Sequence, residues 1–432
     1  MRRIAAILIF LLAGLALLFY LSGLNPGDYF KKEGSPALTF WKYQCIDTMK
    51  TSRDQARSWR ENPRLEEYIE REITAIKNMG ANCVAIATPY DEEFVPYLSM
   101  WVAEARKKDL IVWFRGNFSG WEGWFGYLKG MTSGQHLEKT RKFILGRPDL
   151  FRDGDIFTPA PEAENGGPFR HVPPAEYASF RQFLVDEKRT ADESFAKIGR
   201  RVTTNWLSVN GGLARRMLDK KTIDALGGIV TIDHYVRTPA EMADYIKFFK
   251  EKYGAKVVIG EFGAPIPDIN GRMTEGEQKI FIERVFREIY EERAWVEGLN
   301  YWVSLGGSTA LLYDNGSERP AADSIRRYFI PAILHGTVTN TLGAELSGIT
   351  VEAASGQKTR TDDSGNYTLA LLAGEEKVLF FDGDHHPTAQ DVALVSGEKF
   401  RADMALRPKS PGFSYRLRLL LKEVRNRILS NL

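Results

Sequence analysis

Between about residue 37 and residue 333, short apolar runs alternate with longer stretches whose apolar residues return every three or four positions. The short runs predict strands at residues 38–46, 83–88, 110–114, 155–161, 202–209, 228–235, 256–261 and 298–305. The stretches between them predict helices at 65–79, 92–108, 136–145, 174–198, 213–226, 239–253 and 275–292, with 324–334 as an eighth. The first of these shows the pattern: Leu65, Ile69, Ile73 and Ile76 share one helical face. A strand followed by a helix, eight times over, is the arithmetic of a (β/α)8 TIM barrel. An open doubly wound sheet competes with it, but the chain has no Gly-x-Gly-x-x-Gly turn of the dinucleotide-binding kind.

The pattern changes at residue 335. From 335 to 407 helical periodicity stops, and short alternating stretches are separated by turn signals at Ser355-Gly356, Asp363-Ser364-Gly365 and Asp382-Gly383. This predicts a small all-β sandwich of roughly 70 residues. Residues 411–432 read as a basic amphipathic helix, with Leu417, Leu420, Leu421, Val424, Ile428 and Leu429 on one face and Arg and Lys around it. A membrane surface and a docking site on the protein itself both suit such a helix.

Residues 4–24 carry no charge, a run long enough for a transmembrane helix, and Arg2 and Arg3 precede them. The expectation is an uncleaved N-terminal membrane anchor (1–24), a linker at 25–36, and a bulk that is extracytoplasmic; a signal peptide whose cleavage leaves a secreted protein is the alternative.

Composition narrows the function classes. The 432-residue chain has a formal net charge of +2, which gives no general attraction to nucleic acid. Cys45 and Cys83 are the two cysteines, one in each of the first two predicted strands. They are expected as buried free thiols, because adjacent strands rarely offer disulfide geometry. No Cys-x-x-Cys or His-Glu-x-x-His motif is present, so no metal site and no cofactor are expected.

The chemistry is expected where predicted strands end in carboxylates. The seventh ends in Gly260-Glu261-Phe262-Gly263, and the fourth runs into Pro161-Glu162-Ala163-Glu164-Asn165. Carboxyl groups on two strand ends of one barrel face are what hydrolysis of a glycosidic bond needs. Around them stand Arg115 and Asn117 after the third strand, Trp121 and Trp124 among glycines as a sugar-binding wall, and Tyr90 after the second strand. Arg115 is read either as orienting the nucleophile or as a plain surface residue.

Over residues 37–333 these motifs resemble clan A glycoside hydrolases, the cellulase- and mannanase-like (β/α)8 enzymes. The resemblance implies Glu261 as nucleophile and Glu162 as acid/base of a retaining enzyme acting on a β-linked poly- or oligosaccharide. The clan usually has Asn before its acid, and here Pro161 stands there, so Glu164 beside Asn165 is the alternative acid. Asp233-His234-Tyr235 ends the sixth strand. The resemblance implies that Tyr235 bonds the nucleophile, that His234 lines the sugar subsite, and that Trp302 on the eighth strand stacks on a sugar; Asn165 is counted with them. A structural histidine and core packing of Trp302 are the plainer readings. A non-catalytic carbohydrate-binding or scaffold protein on a degenerate barrel, and a transglycosylase, are the alternative functions. Residues 335–407, with Thr361-Asp362-Asp363-Ser364-Gly365-Asn366-Tyr367, are similar to the carboxypeptidase-regulatory-like domain, which implies a non-catalytic accessory.

Overall fold

The computed structural model describes residues 39–410 except Arg60, together with Gly412, Tyr415, Leu417, Leu420 and Leu421. The predicted membrane anchor, the linker and most of residues 411–432 lie outside the described residues. Among the described residues no helix is long and apolar enough to cross a membrane. The chain forms two compact units, residues 40–329 and residues 330 onward.

The first unit is a parallel (β/α)8 barrel. Its strands are β1 (Tyr43–Asp47), β2 (Cys83–Ile86), β3 (Ile111–Phe114), β4 (Ile156–Phe157), β5 (Ser208–Asn210), β6 (Ile229–Asp233), β7 (Lys256–Phe262) and β8 (Val296–Tyr301). They pair in the order β4-β3-β2-β1-β8-β7-β6-β5. The ring closes where the Thr203 N–H donates to Asp155 O and the Phe157 N–H to Thr203 O, both at 2.8 Å. The fourth and fifth strands are far shorter than the apolar runs at 155–161 and 202–209 suggest. Pro159 and Pro161 have no N–H to give a ladder, so β4 stops and the chain turns into the loop that carries Glu162. The predicted helix at 213–226 is two helices, Gly211–Met217 and Lys220–Ala225. Asp219 breaks it by capping the second, its side chain accepting from Thr222 N at 2.8 Å. The last barrel helix is Ala321–Phe329, earlier than predicted, because residues 332–340 are already strand in the second unit.

The barrel interior is plugged by Tyr43, Cys45, Cys83, Trp113, Ile156, Trp206 and Val258. The Trp113 and Trp206 rings meet edge to face at 4.9 Å. This plug confines any ligand to the carboxyl ends of the strands. Cys45 and Cys83 form a disulfide here, which corrects the expectation of free thiols. The register of β1 on β2 pairs these two residues directly, and their Cα atoms are 4.4 Å apart, inside the range a disulfide spans.

Glu72, on the helix Leu65–Asn78, is 2% exposed and accepts from Thr51 Oγ1 at 3.0 Å and from Ser304 Oγ, while its Oε2 has no hydrogen-bond partner among the described residues. Burial pushes its carboxyl up to about 8 from 4.5. The native fold thus holds a proton that the unfolded chain has already released, and stability falls as pH rises through that window, by about 1.4 kcal/mol per pH unit. Glu72→Gln is expected to remove this slope. Urea midpoints of the two proteins at pH 5.5 and pH 7 decide it, and parallel curves refute the assignment.

The second unit is an all-β sandwich. One sheet pairs β11 (Lys358–Arg360), β10 (Thr350–Ala353), β13 (Gly374–Phe381) and β14 (Thr388–Leu394); the other pairs β12 (Asn366–Leu371), β9 (Ala332–Asn340) and β15 (Lys399–Arg401), with β16 (Met404–Leu406) also on β9. β9 alternates buried and half-buried along its whole length, and its inner residues Leu334 and Val338 join Val351, Leu369, Leu371, Val378 and Phe380 in one core.

Candidate active site

β7 delivers Glu261 by a local irregularity. Its register on β6 skips Gly260, so Ile232 faces Ile259 while Asp233 faces Glu261. Such a bulge re-aims the side chain that follows it. Only glycine fits at 260, because a Cβ there would lie 2.2 Å from Asp233 Oδ1. Glu261 is 4% exposed. One of its oxygens accepts from Arg115 Nη1, and the other accepts from the Tyr235 hydroxyl at 2.7 Å.

Arg115 is 1% exposed, which removes the surface reading. Its guanidinium also donates to Asp233, and its Nη1 lies 3.4 Å from Asp47 Oδ2. One cation therefore faces three carboxyls. Burial pushes Asp233 up to about 8, with Arg115 opposing and Glu261 adding, and pushes Asp47 up to about 6 against the same cation. Asp47 and Asp233 are site residues that the sequence reading passed over. The signal was there: each ends a barrel strand in an acid, the rule that selected Glu261.

Glu162 arrives from the β4 side, half-buried, on a residue with left-handed backbone (φ 45°, ψ 53°). Its Oε2 accepts from Asn165 Nδ2 at 3.0 Å. One carboxylate oxygen from each of Glu162, Asp233 and Glu261 lies within 4.8 Å of the others. Burial pushes the Glu162 carboxyl well above the usual range; the charges of Glu261, Asp233 and Glu164 add to this, and Arg115 opposes it. Glu164 stands outside this trio. Its Oε1 accepts from Asn210 N at 2.5 Å, and burial pushes it up to about 7.

Tyr235 and Trp302 meet at the mouth of the site, their rings 5.7 Å apart, both half-buried. The Trp302 Nε1–H reaches Met49 Sδ at 3.4 Å. Trp124 is half-buried with the Arg53 guanidinium over its ring at 4.7 Å, so one ring face is already taken. The His234 ring packs on Tyr245 at 3.7 Å, and burial pushes it down to about 4, a neutral imidazole at ordinary pH.

Three predicted substrate contacts are corrected. Tyr90 is 2% exposed, stacks on Phe143 and donates to Thr158 O at 3.0 Å. Trp121 is 1% exposed and stacked flat on Phe183, so it forms no sugar-facing wall. Asn117 is fully buried, with Oδ1 taken by Phe118 N and by His136. Each follows a strand end or sits among glycines, as a surface residue would, yet its side chain turns into the packing beneath the loops.

No curated protein sequence matches the chain. The chain is similar to several solved structures at low identity. GH5_18 from Streptomyces cattleya, in complex with GlcNAc, is 14% identical over 70% of this chain and 85% of its own, with a TM-score of 0.49. A family 5 xyloglucanase from Paenibacillus pabuli is 15% identical over 60% of this chain and 90% of its own, with a TM-score of 0.45. An FMN-binding beta-glucuronidase from Facaelibacterium prausnitzii is 10% identical over 81% of this chain, with a TM-score of 0.44, and the chain spans about half of it, 54%. Residues 333–407 match the family model of the carboxypeptidase regulatory-like domain, and the chain therefore carries such a domain after its barrel in sequence.

Proposed function

We propose that the barrel is a retaining glycoside hydrolase acting on a β-linked poly- or oligosaccharide, with Glu261 as nucleophile and Glu162 as acid/base. The observation that carries this reading is the approach of the Glu162 and Glu261 carboxylate oxygens to within 4.8 Å at one mouth of the barrel. Retaining enzymes hold these groups about 5–5.5 Å apart, whereas inversion needs room for a water between them.

The two environments suit the two roles. Arg115 and Tyr235 each donate to one Glu261 oxygen, which fixes the carboxylate for attack on the anomeric carbon. Glu162 is kept protonated by burial and by neighbouring anions, so it gives its proton to the departing oxygen as the C–O bond breaks. Once Glu261 is bound to the sugar its charge is gone, and with it one of the neighbouring charges that hold the Glu162 proton. Glu162 then accepts a proton from water, the water oxygen attacks the anomeric carbon, and Glu261 is released. The half-buried Trp302 beside Tyr235 offers an aromatic edge to the sugar at the mouth.

The same proposal places the enzyme outside the cytoplasm, held by residues 4–24. The Cys45–Cys83 disulfide supports an oxidising compartment.

A covalent trap tests the chemistry. The 2,4-dinitrophenyl 2-deoxy-2-fluoro β-glycosides of glucose, mannose, galactose and xylose should include one that inactivates the enzyme and adds one glycosyl mass to the peptide holding Glu261. Labelling elsewhere, or a first product of inverted anomeric configuration, overturns the assignment.

A further inference from the structure

The loop that presents Glu162 is pinned to β5 where the Glu162 N–H donates to Ser208 O at 2.9 Å, and it also packs on the side chain of Trp121. The Trp121 Nε1–H donates to Ala163 O at 3.1 Å, one residue beyond the proposed acid. Gly166 and Gly167 press on the same indole: a Cβ at 166 would lie 2.6 Å from Trp121 Cδ1, and one at 167 would lie 2.3 Å from the far edge of the ring. Trp121 is in turn clamped, flat against Phe183 at 5.2 Å and edge-on to His136 at 4.8 Å.

Beneath it lies a buried polar pair that the proposed chemistry does not use. His136 and Glu187 are both fully buried, with His136 Nδ1 2.6 Å from Glu187 Oε1. The other ring nitrogen is 2.8 Å from Asn117 Oδ1, an oxygen that also accepts from Phe118 N, so the ring is held at both ends. Thr140 Oγ1 donates to the second Glu187 oxygen at 3.0 Å. A buried pair of this kind contributes little net stability, because desolvation offsets the attraction. What it supplies is a fixed ring orientation under Trp121. Glu162 needs such support, because its left-handed backbone is one a glutamate rarely adopts unless its surroundings impose it.

We propose that His136, Glu187 and Trp121 are positioning residues for the acid, setting the height and angle at which Glu162 meets the leaving-group oxygen. The proposal rests on the glycosidase reading above. It separates these residues from the nucleophile, since Glu261 is oriented independently by Arg115 and Tyr235.

The leaving group gives the test. A 2,4-dinitrophenolate departs without protonation, whereas a 4-methoxyphenolate needs the acid. Both aglycones are compared on the β-glycosides of glucose, mannose, galactose and xylose, in wild type and in Trp121→Phe, His136→Asn and Glu187→Gln. A displacement of the acid by an ångström or less should lower kcat/KM for the methoxyphenyl glycoside by about 30- to 100-fold and that for the dinitrophenyl glycoside by less than about 3-fold. Trp121→Phe keeps the ring on Phe183 and deletes only the N–H, so it decides the matter where the His136 variant unfolds. A parallel fall on both substrates, or no fall on either, overturns the positioning role alone. A wild type inactive on every glycoside overturns the glycosidase reading and this one with it.

Discussion

Glu261→Gln is expected to lower turnover by about 10⁵-fold while leaving the protein folded, because the variant keeps the shape of the side chain and loses the proposed nucleophile. The size follows from the two-step route: the amide cannot form the covalent intermediate, and the approach of one oxygen from each carboxyl to within 4.8 Å suits that route better than a single displacement by water. The folded state gains in one respect. Arg115 faces three carboxyls, and Glu261 is one of the groups raising both Asp47 and Asp233. Removing its charge lets the remaining pair share the guanidinium with less repulsion. The Glu162 carboxyl should likewise titrate lower than in wild type, because Glu261 is the largest of the charges raising it. Steady-state rates on an aryl glycoside, with melting temperature as the control for folding, decide it. Activity within about tenfold of wild type would end the nucleophile assignment.

The barrel is legible in the sequence because its strands are buried on both faces, and unbroken apolar runs announce that. The same runs overstate β4 and β5, since a count of apolar residues ignores the missing N–H groups of Pro159 and Pro161. Glu261 and Glu162 stand out from strand ends alone. Asp47 and Asp233 end β1 and β6 in the same way, and lack only the familiar glutamate surroundings that draw attention to the other two.

Burial of the loop residues was not legible. Trp121 lies between Gly120 and Gly123, which reads as an exposed turn, and only the tertiary path shows that the indole folds inward beneath residues 163–167. The Cys45–Cys83 bond depends on strand register, which the apolar pattern does not encode when both faces of a strand are buried.

Arg115→Met should be the most damaging single change to the fold, with an expected loss of about 3–5 kcal/mol, because it strands buried carboxyls without their cation. Its pH dependence has a definite sign. Asp233 keeps its proton up to about pH 8 in the native protein, against 3.8 for an unperturbed side chain, and Asp47 keeps its proton up to about 6. Groups raised in this way stabilise the fold fully below their unfolded values, and that stability drains away as pH rises through the folded ones. Arg115 lowers both, so its loss moves both upward and extends the window over which stability falls. The variant should therefore lie nearest to wild type at about pH 5, where the acids can stay protonated, and fall furthest behind at about pH 8. Urea unfolding at the two values measures this directly. A deficit that is the same at both, or one below about 1 kcal/mol, would mean that the guanidinium is not what holds the three acids together.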